Sequence, residues 1–142
     1  MQEINWLDML LYKEELHSIS RLLLSQSNQI SLKNSELEIL SLVYLYPDDC
    51  TPLMLSHKSG MKKEAISRTI RVLHELKYIE KLKDPNDERS YKIHLTALGN
   101  QKLDENYAII LKPFYELSRL MGDDFKKMFE LIQDANKKIK NN

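Results

Sequence analysis

Hydrophobic residues recur three or four positions apart along most of this chain, which is the spacing of helices with one apolar face. The pattern predicts six helices, separated by proline, glycine and short polar segments. Their expected bounds are roughly 3–25, 34–46, 52–59, 62–77, 97–121 and 124–139. The first helix carries additional apolar side chains at Trp6, Met9 and Leu10, more than one core contact needs. Part of this helix is therefore expected to be buried against a partner chain.

Two short segments alternate apolar and polar residues instead. Tyr78–Lys83 and Tyr91–Thr96 each show the two-residue period of a strand, and turn-forming residues fill Asp84–Asp87 between them. The segments predict a β-hairpin, followed by a helix that Thr96 is placed to cap. The expected fold class is therefore mainly α with a small β-hairpin.

The third and fourth predicted helices are close neighbours in the sequence. Thr51 can accept a hydrogen bond at the start of the third helix, and Pro52 suits its first position. Gly60 can take the left-handed conformation of a tight turn after it. The fourth helix has an apolar face and an opposite face that is polar and partly basic. This arrangement is typical of a helix-turn-helix motif.

The chain has 142 residues, enough for one compact domain, and its formal net charge of zero conceals an uneven distribution. Residues 1–50 carry 3 basic and 8 acidic side chains, residues 51–94 carry 10 and 6, and residues 95–142 carry 8 and 7. The middle third is thus the basic part of the chain. An excess of this size is also compatible with a solvated surface that has no partner.

The outward face of the fourth helix carries groups that suit DNA. A B-DNA major groove admits one α-helix, whose side chains must reach base edges or phosphates. Arginines can contact guanine or phosphate, lysines suit phosphate, a serine lets the backbone approach, and a glutamate can accept from cytosine or repel a wrong register. An arginine in the hairpin loop can reach the minor groove, beside the loop-shaping residues Asp84 and Asp87. The candidate DNA-binding residues are Lys62, Lys63, Glu64, Ser67, Arg68, Arg71 and Arg89.

These residues resemble the DNA-binding core of the MarR family of winged helix-turn-helix regulators. The family's recognition segment has a Ser-Arg pair, a basic residue and a leucine, as do Ser67-Arg68, Arg71 and Leu73. Its wing reads Asp-x-x-Asp-x-Arg and then Leu-Thr-x-x-Gly. The matching positions are Asp84, Asp87, Arg89, Leu95, Thr96 and Gly99. The resemblance covers about half of the chain directly and is more specific than a bare helix-turn-helix.

The resemblance implies a winged helix-turn-helix core flanked by N- and C-terminal dimerisation helices. On that basis residues 33–96 are expected to form a DNA-binding lobe, and residues 1–32 and 97–142 a helical dimerisation region. The chain is expected to be a homodimeric repressor of a pseudo-palindromic operator on double-stranded DNA. A small aromatic effector between the dimer helices and the lobe is also implied. Four tyrosines invite this interpretation, although we expect them mostly to pack in the core or at an interface: Tyr44, Tyr46, Tyr107 and Tyr115.

Three features depart from the family pattern. Lys77 replaces the usual glycine after the recognition helix, so either it accepts a left-handed conformation or the helix ends differently. Glu88 stands where the wing commonly has a basic residue, which lowers the positive charge there. The residues at 62–64 are bulkier than the small residues common at that place. The operators of relatives therefore do not predict the operator sequence of this chain.

Other functional classes find less support. Acidic residues interrupt the apolar N-terminus, so we expect neither a signal peptide nor a membrane span. We therefore expect a cytoplasmic location. In members of the family that sense redox state, the sensing cysteine lies in the first helix. Cys50 lies in the loop before the third helix, so we do not expect it to be a sensor. The four histidines lack metal-ligand spacing, and no nucleophile elbow or phosphate loop is present. We expect no enzyme activity and no cofactor. The alternative is a winged-helix dimer that binds protein and not DNA, supported by Glu64, Glu75, Glu88 and the zero net charge.

Overall fold

The computed structural model describes residues 1–25 and 29–142, apart from the side chain of Glu88. These residues contain six helices and two strands, which confirms the predicted fold class. In chain order they are α1 (Trp6–Leu24), α2 (Asn34–Leu45), α3 (Pro52–Ser59), α4 (Lys63–Glu75), β1 (Ile79–Asp84), β2 (Asp87–Leu95), α5 (Ala97–Met121) and α6 (Asp123–Lys140). The polar segment predicted to end α1 includes residues 26–28, which lie outside the described part.

Side-chain caps determine where several helices begin. The Thr51 hydroxyl accepts a hydrogen bond from the backbone N–H of Met54 at 3.1 Å, so α3 starts at Pro52 as predicted. Thr96 likewise accepts from the N–H of Gly99 at 3.0 Å and caps α5. These local contacts confirm both predicted caps. At α1 the cap is Asn5, so this helix starts later than the hydrophobic pattern suggested.

The two strands form an antiparallel hairpin in which Ile79 lies opposite Leu95 and Lys83 lies opposite Tyr91. Asp84 pairs with Asp87, so only two residues form the turn, and an irregularity separates this pair from the regular ladder. The prediction that the second strand begins at Tyr91 was wrong, because β2 begins at Asp87. Backbone pairing next to the turn does not require the apolar alternation used for the prediction.

Residues Asn28–Ile109 form one compact unit, which we call the winged-helix lobe. Its core combines residues of α2, α3, α4, the hairpin and the first half of α5. Apolar residues with at most 2% of their surface exposed are Ile39, Leu40, Val43, Cys50, Leu55, Ile66, Ile70, Leu73, Ile79, Ile93 and Leu103. Burial of this many apolar side chains accounts for a stable lobe.

Residues Met1–Ser27 and Ile110–Asn142 form a second unit, the helical unit. Phe129 contacts Phe125 and Phe114, with ring centroids 4.9 and 6.3 Å apart. In the described part of this unit, Leu23 is the only buried hydrophobic residue. Its exposed large apolar side chains include Ile4, Trp6, Leu7, Met9, Leu10, Leu11, Tyr12, Leu16, Tyr115, Leu120, Leu131 and Ile139.

Lys77, which follows the end of α4, adopts the left-handed conformation that the family's glycine was expected to favour. Its φ angle is 64°, in the left-handed region, and its N–H donates to the carbonyl of His74. The N–H of Tyr78 donates to the carbonyl of Leu73, which completes the hydrogen-bond pattern of a glycine-type helix end. Lysine therefore adopts the strained conformation that the family's glycine adopts without cost.

Candidate nucleic-acid interface

The turn between α3 and α4 is held by hydrogen bonds within it. Gly60 has a φ angle of 71° and donates its N–H to the carbonyl of Ser56. The Ser56 hydroxyl donates to the carbonyl of Met61 at 2.8 Å, and the N–H of Met61 donates to the Ser59 hydroxyl at 3.1 Å. These contacts satisfy backbone groups at the end of α3 and fix the direction in which α4 leaves the turn.

Helix α4 is anchored on one side and exposed on the other. Ile66, Ile70 and Leu73 are each at most 1% exposed and belong to the lobe core. Ser67, Arg68 and Arg71 are exposed. This division follows from the helical period, which places these two sets on opposite sides. The structure therefore directs both predicted base-reading arginines away from the core.

Both arginines of α4 lack a partner among the described residues. Within the part of the chain that the structure describes, neither Arg68 nor Arg71 forms an ion pair or a side-chain hydrogen bond. Glu64 and Glu75 are exposed on the same side of α4, yet neither pairs with an arginine. The guanidinium groups remain available to an outside acceptor.

The two predicted phosphate-binding lysines lie at the start of α4. Lys62 is the residue before the helix, and its carbonyl accepts from the N–H of Ile66. The helix itself begins at Lys63, one residue later than predicted. Both side chains are exposed. Cations at this position add to the positive end of the helix dipole, which suits a phosphate contact.

The wing turn is shaped by its two aspartates, as the sequence indicated. Asp84 accepts from the N–H of Asn86 at 2.9 Å. Asp87 accepts from the N–H of Arg89 at 3.0 Å and from the Ser90 hydroxyl at 3.1 Å. The aspartates thus hold the backbone of the turn, while the exposed Arg89 side chain forms no ion pair with a described residue. The Glu88 side chain lies outside the described part of the structure.

Sequence reasoning missed the contacts that hold the base of the wing. The N–H of Ile93 donates to the carbonyl of Cys50 at 2.7 Å, and Lys92 Nζ donates to the carbonyl of Asp48 at 3.0 Å. Both bonds join β2 to the loop before α3. No sequence signal indicates them, because backbone carbonyls distant in the chain are the acceptors.

The Leu-Thr-x-x-Gly motif also acquires a physical reason. Besides capping α5, Thr96 donates its hydroxyl to the carbonyl of Lys77 at 2.6 Å and its N–H to the carbonyl of Tyr78 at 3.1 Å. A Cβ atom on Gly99 would collide with that same Tyr78 carbonyl oxygen. Threonine and glycine at these positions therefore join the end of α4 to the end of the wing.

Cys50 is a packed core residue. It is fully buried, and its thiol lies 2.8 Å from the carbonyl oxygen of Tyr46, within hydrogen-bond distance. Burial, and to a lesser extent the Asp49 carboxylate, raises the pKa of this thiol above its usual range. Since the thiolate is the reactive species, this environment disfavours redox sensing at Cys50.

Two further properties bear on possible sites. Among the described side chains, no group of three or more His, Cys, Asp or Glu residues is arranged to hold a metal ion. Of the helices that the structure describes, none combines the length and apolarity needed to cross a membrane.

Comparison with known proteins decides the family. Residues 4–106 match the model of a family described as transcriptional regulator SarA/Rot. The chain belongs to the SarA/Rot family. The resemblance to MarR-family regulators is confirmed as well, since the similar solved structures include members of that family. The protein is a DNA-binding transcriptional regulator with a winged-helix fold. No curated protein matches its sequence.

Three similar solved structures match this SarA/Rot family member over nearly its whole length. A MarR/EmrR family transcriptional regulator from Acinetobacter sp. ADP1 is 25% identical, with a TM-score of 0.74, and the match covers 98% of this chain and 100% of that one. A mutant MarR from E. coli complexed with operator DNA is 17% identical over 94% and 98%, with a TM-score of 0.69. The MepR–DNA complex from S. aureus is 17% identical over 99% and 100%, with a TM-score of 0.68. The last two likenesses show the shared fold.

Proposed function

We propose that this regulator binds a specific operator as a homodimer, with α4 in the major groove and the Arg89 wing in the neighbouring minor groove. The observation that carries the proposal is the exposed face of α4, where Arg68 and Arg71 lack internal partners. A guanidinium can bond two acceptors of guanine or one phosphate. The solved relatives from E. coli and S. aureus include complexes with DNA, which supports the same use of this fold.

The homodimer is supported by the apolar surface of the helical unit. Trp6 is 73% exposed, Leu11 60% and Leu131 71%, although large apolar side chains favour burial. A second copy of the chain would present the same surface, as a two-fold interface requires. Two α4 helices would then enter major grooves about 34–36 Å apart, so the operator should be a pseudo-palindrome. As the resemblance to the MarR family implies, we expect this binding to repress transcription.

Substitution of the two arginines tests the recognition role of α4. Removal of either side chain should weaken operator binding by about 1–3 kcal/mol if it reads a base. An arginine that contacts only phosphate should flatten the salt dependence with little loss of discrimination. We suggest fluorescence anisotropy of Arg68→Ala and Arg71→Ala against operator and scrambled duplexes. Arg119→Ala, an exposed change on α5, is the matched control. Unchanged affinity in both α4 variants would refute this role.

The proposed function also includes release of DNA by a small aromatic effector. Tyr44 and Tyr107 lie in edge-to-face contact, with ring centroids 6.0 Å apart. Such an edge-to-face pair is a common packing arrangement, so these two rings also have a structural role. An effector would release DNA only if it favours a conformation that binds DNA poorly. Titration with small phenolic and aromatic acids at half-saturating DNA should lower operator affinity; constant affinity across the set would remove the effector from the account.

The alternative function is protein binding through the same surface. Exposed Glu64 and Glu75 on α4 favour it, because carboxylates oppose a phosphate backbone. Salt distinguishes the two functions. DNA binding must weaken steeply with salt concentration, since counterions are released from the phosphates. Absence of DNA binding at low salt would support the protein partner.

A further inference from the structure

Four exposed residues form one stripe along the outer face of α4: Glu64, Arg68, Arg71 and Glu75. Successive members are three or four residues apart, so at the helical period they lie within about 60° of one another around the axis. The two arginines are in the middle, and a glutamate lies at each end. The two arginines proposed to read bases are therefore bracketed by anions on the same exposed face of α4.

Helix stability accounts for only one of these glutamates. Glu64 is in the first turn, where a negative charge stabilises the positive end of the helix dipole. Glu75 is the last residue of α4, where the same charge opposes the dipole. Neither forms an ion pair with a described residue. Glu75 therefore stabilises neither the helix nor, through a salt bridge, the lobe.

We propose that Glu64 and Glu75 determine specificity by weakening binding to non-cognate DNA. This inference rests on the proposed DNA-binding function of α4. Non-specific affinity comes almost entirely from cations that neutralise phosphates, irrespective of sequence. A carboxylate beside each arginine repels any phosphate nearby. On non-cognate DNA nothing offsets this repulsion, so binding there is weakened most. On a cognate site a carboxylate can accept from the amino group of a cytosine, which offsets part of the repulsion.

Under this proposal, the zero net charge of the chain lowers its retention on non-specific DNA. A strongly basic regulator would be retained on the large excess of non-specific sites in a genome. A chain with balanced charge and two bracketed arginines is retained less, at the cost of some affinity for its own operator. Specificity is then obtained from a repulsive element as well as from attractive contacts.

The test uses charge-neutralising substitutions that preserve size. Glu64→Gln, Glu75→Gln and the double variant are titrated, with the wild type, against a random-sequence duplex and against a duplex selected by the wild type from a random pool. Each single variant should bind the random duplex about fivefold more tightly, as removal of one close like-charge contact in water predicts. The selected duplex should gain less, so the ratio of the two affinities falls. The salt dependence of random-duplex binding should become steeper.

Glu130→Gln is the control, because it makes the same charge change at an exposed position on α6. Random-duplex affinities equal to that control, or gains as large on the selected duplex, would overturn the inference while the wild-type titration still supported DNA binding. If neither the wild type nor the double variant bound any duplex at low salt, the proposed function would fail and this inference with it. Thermal unfolding separates stability from recognition: Glu75→Gln should leave the melting temperature unchanged or raise it slightly.

Discussion

The winged-helix lobe and the helical unit have opposite relations to solvent. The lobe encloses side chains such as Ile39, Leu55 and Ile93, each with none of its surface exposed. In the described part of the helical unit, a single hydrophobic residue, Leu23, is buried, although α1 carries as many apolar side chains as a core helix. The lobe has a complete core of its own, whereas the helical unit has an apolar surface without a cover.

This contrast separates two kinds of requirement. Under the proposed function, base readout would depend on the position of α4, so the protein's own packing must hold this surface rigidly. The helical unit has no such requirement in the single chain, and its apolar face gains most when a second copy covers it. In the proposed homodimer, the lobe would read DNA and the helical unit would set the spacing between two lobes.

The largest expected effect comes from a cavity in the lobe. Leu73→Ala removes a fully buried side chain of α4 and should lower the free energy of unfolding by about 2–5 kcal/mol. Urea denaturation followed by circular dichroism measures the loss. Because the contacts are internal to the lobe, the loss should not depend on protein concentration. A change below about 1 kcal/mol would mean that the lobe core does not carry the stability assigned to it.

A smaller effect is expected in the helical unit, and it should depend on concentration. Trp6→Ala should weaken a dimer by more than about 1 kcal/mol if α1 is at the interface, because buried tryptophans commonly dominate interfaces. Sedimentation equilibrium of wild type and variant measures the association constant.

Leu53→Ala is the control for this experiment, since Leu53 is 58% exposed on α3 in the lobe. It should leave the association constant unchanged. A wild-type protein that remains monomeric at all accessible concentrations would contradict the homodimer, and equal effects of the two substitutions would remove α1 from the interface.

The smallest expected effect concerns the link between α4 and the hairpin. Lys77→Gly should relieve the cost of the left-handed conformation at a φ angle of 64°. The greater freedom of glycine in the unfolded chain offsets part of that gain. A net stabilisation of less than about 1 kcal/mol is therefore expected in urea denaturation. Marked destabilisation would mean that the lysine side chain itself stabilises the turn.

Sequence reasoning succeeded where the signal is local. The caps at Thr51 and Thr96, the glycine turn at Gly60 and the outward arginines of α4 all follow from spacing along the chain. It failed at the first residues of β2, where pairing beside a two-residue turn leaves no apolar pattern. The anchoring of the wing by Lys92 was also missed, since its acceptor is a backbone carbonyl 44 residues away. The conformation of Lys77 stayed open, because a lysine adopts the left-handed region only at a cost and the Thr96 hydroxyl that bonds its carbonyl lies 19 residues away.

The most direct test of DNA binding by this regulator is a single comparison. Fluorescence anisotropy of the purified protein against the DNA upstream of its own gene, and against a scrambled duplex, is measured at two salt concentrations. The account predicts tight binding to the upstream duplex, weaker binding to the scrambled one, and a steep loss of both as salt rises. Absence of binding to either duplex at low salt would contradict it.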